Sequence, residues 1–310
     1  MIITLTDTTS SQVASRLVVV REEGGVVALG RVLTLVVLAR GRENVERAIA
    51  VTNVASREHP SRVIVINTGE CGDDDGLDAE IRVGGDAGAS EVVVLHPRGA
   101  AVADQDTLVT PLLLPDTPIV AFWVGATPGN PSAEPVGRMA QRRITDLISA
   151  ITDTESSHAA RESFAALARN YRPGDTDLSW ARITTWRALI AAELDLTHTD
   201  LTSIDVHGAP DRPSMYLLGG WLRSRLGVPV HVHESSRIHI TELALNFADG
   251  PVRFLRPEGS SVATIRRPGQ PDQRTNLPPR TDTDCLMEEL RRLDADETYA
   301  SALAHAVRSL

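Results

Sequence analysis

VVALGRVLTLVVLARGRENVERAIAVTNVASREHPSRVIVIN, Val26 to Asn67, changes its hydrophobic period twice, and those changes set the fold class. VVALGRVLTLVVLA follows the turn signal Gly24-Gly25 and is rich enough in β-branched residues to be a strand buried on both faces for much of its length. After Ala39 the period becomes helical. Val45, Ala48, Ile49, Thr52 and Ala55 fall on one helix face, and Pro60 ends that helix by restricting His59. RVIVIN, Arg62 to Asn67, then returns to an apolar strand. Strand, helix and strand in succession is the alternation of an α/β domain.

Working outward, Thr68 to Gly76 carries Glu70, Asp73, Asp74 and Asp75 with three glycines and predicts a solvated loop. Ala79, Ile81 and Val83 alternate with polar neighbours, and EVVVLHP from Glu91 is a second short strand, so Gly84 to Ser90 connects the two. A mostly helical stretch follows from Val102 to Leu113, then the buried strand PIVAFWVG from Pro118 and the long-loop candidate ATPGNPSAEP. The second half opens with a helix over Ala159 to Asn170 and the turn-rich RPGDTD. A longer helix comes next, with Ile183, Trp186, Leu189, Ile190 and Leu194 on one side and Asp177 or Ser179 as its cap. Ser203–Val206 and Val228–His233 flank a helix over Ser214–Leu226 in a βαβ pattern. ITELALNF, PVRFLRP and SVATIRR read as antiparallel strands, a polar Pro-rich stretch follows, and Cys285 to Arg308 is helical. The prediction is an α/β chain of two α/β domains with mixed sheets, residues 1–150 and 151–310. The second domain is expected to end in antiparallel strands and a C-terminal helix.

At 310 residues and 42% apolar composition, the chain has enough apolar side chain to bury a core in both domains. All 31 cationic side chains are arginine, which removes Schiff-base lysines, lysine general bases and the P-loop lysine from consideration. The net charge of −10 repels a phosphate backbone, and few aromatics are present for base stacking, so nucleic acid is not an expected partner. The start of the chain lacks a basic segment followed by an apolar one, and the longest apolar run is interrupted by Arg31, so no membrane association is expected. With only Cys71 and Cys285, the natural compartment is a reducing cytoplasm.

Glycines 84, 85 and 88, with Arg82 nearby, form the one candidate anion loop, through backbone N–H groups that glycine lets a ligand approach. Asp86 and the following EVVVL argue instead for a structural turn, because a dinucleotide fingerprint opens a helix. His231 and His233 lie on one strand face, with His207 or His239 as conceivable third ligands, but no fixed carboxylate accompanies them and no metal is expected. A disulfide between Cys71 and Cys285 requires the fold to bring them together. Neither a nucleophile elbow nor a zinc-protease pair occurs. What does recur is arginine and tryptophan at element ends, the residue types that anchor protein interfaces. Arg57, His59, Arg62, Arg142, Arg143, Asp177, Trp180 and Arg182 are the candidate partner-binding residues, whereas Trp186 shares an apolar stripe and is expected in the core.

The stretches REEGGVVALGRVLTLVV, ASREHPSRVIVI, DAEIRVGGDAGASEVVVL, VTPLLLPDTPIVAFW, VGRMAQRRITD and RPGDTDLSWARITTWRALIAAELD occur in order from Arg21 to Asp195. Taken together they resemble the glucose-6-phosphate dehydrogenase assembly protein (OpcA) family of actinobacteria. The lysine-free composition suits a GC-rich actinobacterial genome. The resemblance implies a protein that is not an enzyme and needs no cofactor. It would bind glucose-6-phosphate dehydrogenase, promote its active oligomer as an allosteric activator, and so support NADPH production in the oxidative pentose phosphate pathway. The alternative from another class is a sugar-phosphate- or nucleotide-binding enzyme or sensor that uses the Gly84–Gly88 loop.

Overall fold

The computed structural model describes the chain except residues 25–30, 70–73, 84–90, 152–156, 197–198, 236–238 and 310, and the side chains of 21–24 and 309. In chain order the elements begin β1 (Ile2–Leu5), α1 (Ser10–Gly24), β2 (Leu33–Ala39), α2 (Arg42–Ala55), β3 (Ser61–Asn67), β4 (Gly76–Arg82) and β5 (Glu91–Arg98). They continue with α3 (Gln105–Val109), β6 (Ile119–Val124), α4 (Pro135–Met139), β7 (Arg142–Thr145), α5 (Leu147–Ala150), α6 (Ser157–Asn170), β8 (Asp175–Asp177), α7 (Leu178–Arg182) and α8 (Thr184–Leu194). The last are β9 (Leu201–Gly208), α9 (Pro213–Leu226), β10 (Val230–Glu234), β11 (Glu242–Phe247), β12 (Gly250–Leu255), β13 (Val262–Arg266), β14 (Gln273–Asn276), α10 (Asp282–Leu290) and α11 (Glu297–Ala306). The class is α/β with two mixed sheets, as the sequence predicts. Among the described residues no helix is long and apolar enough to cross a membrane.

Two compact units divide the chain, and the first takes Met1–Ala150 together with Gly174–Leu178 and Asp282–Ala295. Its eight-stranded sheet has the order β1-β4-β5-β3-β2-β6-β7-β8. From β5 to β8 all neighbours are parallel, which reproduces the 3-2-1-4-5-6 order of doubly wound dinucleotide folds, and β4 and β1 extend one edge antiparallel. Every residue of β2 and β3 is buried because helices cover both faces. Val13, Leu17 and Val20 of α1 pack with Val36, Leu38, Ile64, Ile66, Val93 and Leu95, alternate residues of the central strands. The buried residues of α2 are Val45, Ala48, Ile49, Thr52 and Ala55, the face read from spacing, and α10 packs on this helix.

The second unit holds Ile151–Pro173, Ser179–Thr281 and Asp296–Leu310, with a six-stranded sheet in the order β10-β9-β11-β12-β13-β14. β9, α9 and β10 form the expected parallel crossover, and β11 to β14 run antiparallel. Trp180 and Trp186 are both buried. The Trp180 indole donates to Asp296 Oδ2 at 2.8 Å, Asp296 Oδ1 caps α11 by accepting from Tyr299 N at 2.8 Å, and the Arg187 guanidinium lies 3.6 Å over the indole ring.

Several segments differ from their sequence expectation. The turn-rich RPGDTD contributes the edge strand β8, whose aspartates have buried partners in unit one. The long helix after it breaks at Ile183 (φ −97°, ψ 5°) into α7 and α8. The stretch 102–113 holds the short α3 between 3-10 turns. The Pro-rich tail supplies β14, and the final helical stretch is two helices separated by residues 291–296, with α10 in unit one and α11 in unit two. ATPGNPSAEP is a loop inside unit one with Pro131 buried beneath it.

Gly220 marks the crossing of α9 and α11: a Cβ there would run into the Ala302 carbonyl and sit 2.6 Å from Ala306 N. Gly220→Ala is expected to cost roughly 1–3 kcal/mol by overpacking. Urea unfolding checks this, with Gly227→Ala as a contrasting variant whose penalty comes from its positive φ and not from contact.

Candidate functional site

The strand order places the ligand crevice of a doubly wound sheet at the carboxyl ends of β2 and β6, where the winding reverses. Here that position is the turn Arg40-Gly41-Arg42-Glu43-Asn44 leading into α2. The Asn67 Oδ1 accepts from both Gly41 N and Gly69 N at 3.1 Å, and Gly69 is pressed so closely on Gly41 that a Cβ on it would sit 2.9 Å from Gly41 Cα. Asn44 Nδ2 donates to Arg40 O at 2.8 Å, and the Asn44 side chain covers Gly125, where a Cβ would come 2.5 Å from Asn44 Cγ. A G-x-G-x-x-G turn uses its second glycine to let the backbone reach pyrophosphate. Counting from Gly41, that position is Glu43, an exposed carboxylate in the first turn of α2. The side chains of Asn44 and Asn67 therefore occupy part of this end of the sheet, with Arg40 and Arg42 exposed beside them. Sequence patterning alone points to Gly84–Gly88 instead, because only the sheet order reveals which βα turn lies at the switch point.

Gly84, Gly85 and Gly88 lie outside the described residues, as does Cys71; Cys285 is a buried residue of α10. Arg82 is held by carboxylates of its own unit. It donates to Glu46 Oε1 at 2.7 Å and Oε2 at 3.0 Å, and to Glu80 Oε2 at 2.8 Å. The hydrogen bond from Arg82 holds the Glu46 carboxyl below its ordinary range, and that from Glu46 raises the Arg82 guanidinium further.

Of the residues selected for partner binding, Arg62, Arg142, Arg143, Asp177 and Trp180 are buried, and each makes polar contacts within its own unit. Arg62 bonds to Glu91 at 2.6 Å and to Leu112 O at 2.6 Å, and the same glutamate takes Arg31 at 2.8 Å. Arg142 meets Glu289 of α10 at 2.5 Å and Asp294 O at 3.1 Å, while Arg143 pairs with Asp175. Asp177 accepts from Thr145 Oγ1 at 2.7 Å and from Leu147 N at 2.9 Å, so it holds the start of α5. The arginine contacts are the charge-assisted pairs a guanidinium makes when it is withdrawn from water. Arg57 is exposed, His59 and Arg182 are half-buried, and the His59 Nε2 is buried without a hydrogen-bond partner.

On unit two, His207 and His233 stack with centroids 4.5 Å apart, and His233 Nε2 lies 2.7 Å from Asp205 Oδ1. Asn246 Nδ2 donates to Asp205 Oδ2 at 2.7 Å. Burial works to raise the Asp205 carboxyl, but the bonds from His233 and Asn246 prevail and hold it below its usual range. Among the described residues no group of three His, Cys, Asp or Glu is arranged to hold a metal ion.

Residues 52–164 match a family model described as the glucose-6-phosphate dehydrogenase subunit N-terminal domain, and residues 173–303 match the corresponding C-terminal domain. No curated protein matches the chain. Solved structures with a similar course include KijD10, a 3-ketoreductase from Actinomadura kijaniata, at 10% identity and TM-score 0.48, covering 90% of this chain and 96% of that one. Aldose-aldose oxidoreductase from Caulobacter crescentus gives 10% identity and TM-score 0.47, over 89% and 97% of the two chains. A myo-inositol dehydrogenase from Corynebacterium glutamicum gives 9% and 0.42, over 89% and 95%.

Two substitutions separate buried from exposed pairing. Glu91→Gln leaves Arg62 and Arg31 facing a neutral group and is expected to cost roughly 3–5 kcal/mol in urea unfolding at pH 7. Glu46→Gln, at an exposed carboxylate, is expected to cost less than about 1 kcal/mol. Because the folded Glu46 pKa is lowered, its contribution is present above the unfolded carboxyl pKa and is lost as pH falls through the folded value. The Glu46→Gln difference should therefore vanish in acid.

Proposed function

The chain belongs to the OpcA family of glucose-6-phosphate dehydrogenase assembly subunits, and on that footing we propose that it is a non-catalytic activator of the dehydrogenase. It would bind the enzyme, favour its active assembly, and thereby support NADPH supply through the oxidative pentose phosphate pathway. The observation that carries this proposal is the ordered match of two successive domains of one family over residues 52–164 and 173–303. Glu43, at the switch-point position where a pyrophosphate would need a glycine, fits a chain that works on a partner and not on a nucleotide of its own.

Activation of this kind needs no active site. A protein that binds the active assembly better than the inactive one shifts the equilibrium by its differential affinity, about 1.4 kcal/mol for each tenfold. The residues for partner contact from this viewpoint are the exposed ones. Arg57 qualifies directly, His59 and Arg182 in part, and the buried arginines shape the scaffold that presents them.

Purified dehydrogenase assayed for activity and for sedimentation mass, with and without this protein, is expected to show a rise in both; no change in either at micromolar concentrations overturns the proposal. Thermal melts of this chain with NADP, glucose 6-phosphate and 6-phosphogluconate are expected to stay flat. A ligand present at 100 times its Kd would add about 2.7 kcal/mol and raise the melt clearly, and such a rise would favour the small-molecule reading of the Gly84–Gly88 region.

A further inference from the structure

Along β12 and β13 of unit two, one face of the sheet is buried and the other is largely exposed. Val252, Phe254, Ala263 and Ile265 of β12 and β13 are buried, and the alternate residues of these strands point the other way. Register places Arg253 directly opposite Arg266, and Leu255 opposite Thr264, which in turn faces Arg274. All therefore share the open face, together with Val262 and its partner Asn276. β12, β13 and β14 contain no acidic residue, in a chain whose acids outnumber its arginines by 41 to 31.

Like charges directly opposite across a strand pair destabilise a sheet. The relief available within the unit is partial, since Arg253 finds Glu242 at 3.6 Å and Arg266 finds Asp272 at 3.0 Å. Arg274 is exposed and makes no ion pair or hydrogen bond with any described residue. Beside it lies a depression of about 510 Å³ lined by Pro257, Ser260, Val262, Thr264, Arg274 and Asn276. Val262 is 40% exposed at its wall, one of few large apolar side chains on the surface. Arginine enrichment with depletion of acids is a mark of protein-binding patches.

We propose that this open face, centred on Arg253, Arg266, Arg274 and Val262, is the surface on which the dehydrogenase docks, through a carboxylate-bearing segment of that enzyme. The inference rests on the assembly-subunit reading above and names its surface. A second copy of this chain is the poorer occupant. The acids that the same face offers on β9 and β11 are Asp205 and Glu242, and both are already engaged, by His233 and Asn246 and by Arg253. Nucleic acid is disfavoured by the net charge of −10.

Sedimentation velocity of the full-length chain with purified dehydrogenase tests this, using wild type, the neutral triple variant R253Q/R266Q/R274Q, the charge-reversed R253E/R266E/R274E, and R292Q at an exposed arginine of unit one as control. Near-ultraviolet circular dichroism confirms that each variant is folded, and the neutral variant carries the test if reversal disturbs the sheet. The neutral variant is expected to bind at least about 30-fold more weakly than wild type, with a flatter salt dependence, while R292Q binds as wild type does. Wild-type binding that all the variants retain within about threefold overturns the surface but leaves the assembly reading intact. Failure of wild type itself to bind overturns both. Self-association of wild type that the neutral variant abolishes reassigns the face to a second copy and overturns the inference.

Discussion

A guanidinium withdrawn from water must find acceptors for its N–H groups, and for three buried arginines of unit one those include carboxylates drawn from across the sequence. Arg62, Arg142 and Arg143 sit at the amino ends of the parallel strands in unit one, where burial of an unpaired charge would cost several kcal/mol. Glu91 answers the first from within the same half of the chain. The other two are answered from far away: Asp175 stands 32 residues beyond Arg143, and Glu289 stands 147 beyond Arg142. The strand that carries Asp175 and the helix that carries Glu289 are thereby members of the first unit. Hydrogen bonds of β8 to β7 and packing of α10 on α2 complete the attachment, but the charged pairs specify which remote segments belong there.

The same chemistry separates scaffold from surface. Arginine and tryptophan are interface anchors when exposed and structural fasteners when buried, and residue type does not distinguish the two. Trp180 sits on the first turn after β8, yet it is locked between Asp296, Tyr299 and Arg187 within unit two. Among the exposed arginines are those on one face of the second sheet, where strand register sets Arg253 against Arg266. Charges arranged against their own neighbours are unfavourable in isolation, and a partner's carboxylates reverse the sign of that interaction.

Much of the fold was legible because the signal was local. The buried face of α2 matches its spacing residue for residue, since a helix between a sheet and solvent needs one continuous apolar stripe. β2, β3, β5 and β6 were legible because strands covered on both faces keep long apolar runs. β8 and β14 were not, since DTD and QRTN are polar and become strands only through a neighbour that supplies the ladder. The break at Ile183 and the turn between α10 and α11 follow from where each helix packs, which no window of sequence contains.

By itself the sequence determined the α/β class, the central strands, the face of α2, the lack of lysine chemistry and a charge balance hostile to nucleic acid, all properties of single residues or short periods. Tertiary structure decided which remote segments complete unit one, which βα turn lies at the switch point and that Asn44 lies over Gly125 there, and which arginines are buried and which are displayed. The physical reason is that desolvation acts on a side chain's surroundings and not on its identity. A guanidinium withdrawn from water serves the scaffold, and one left in water stays open to a partner.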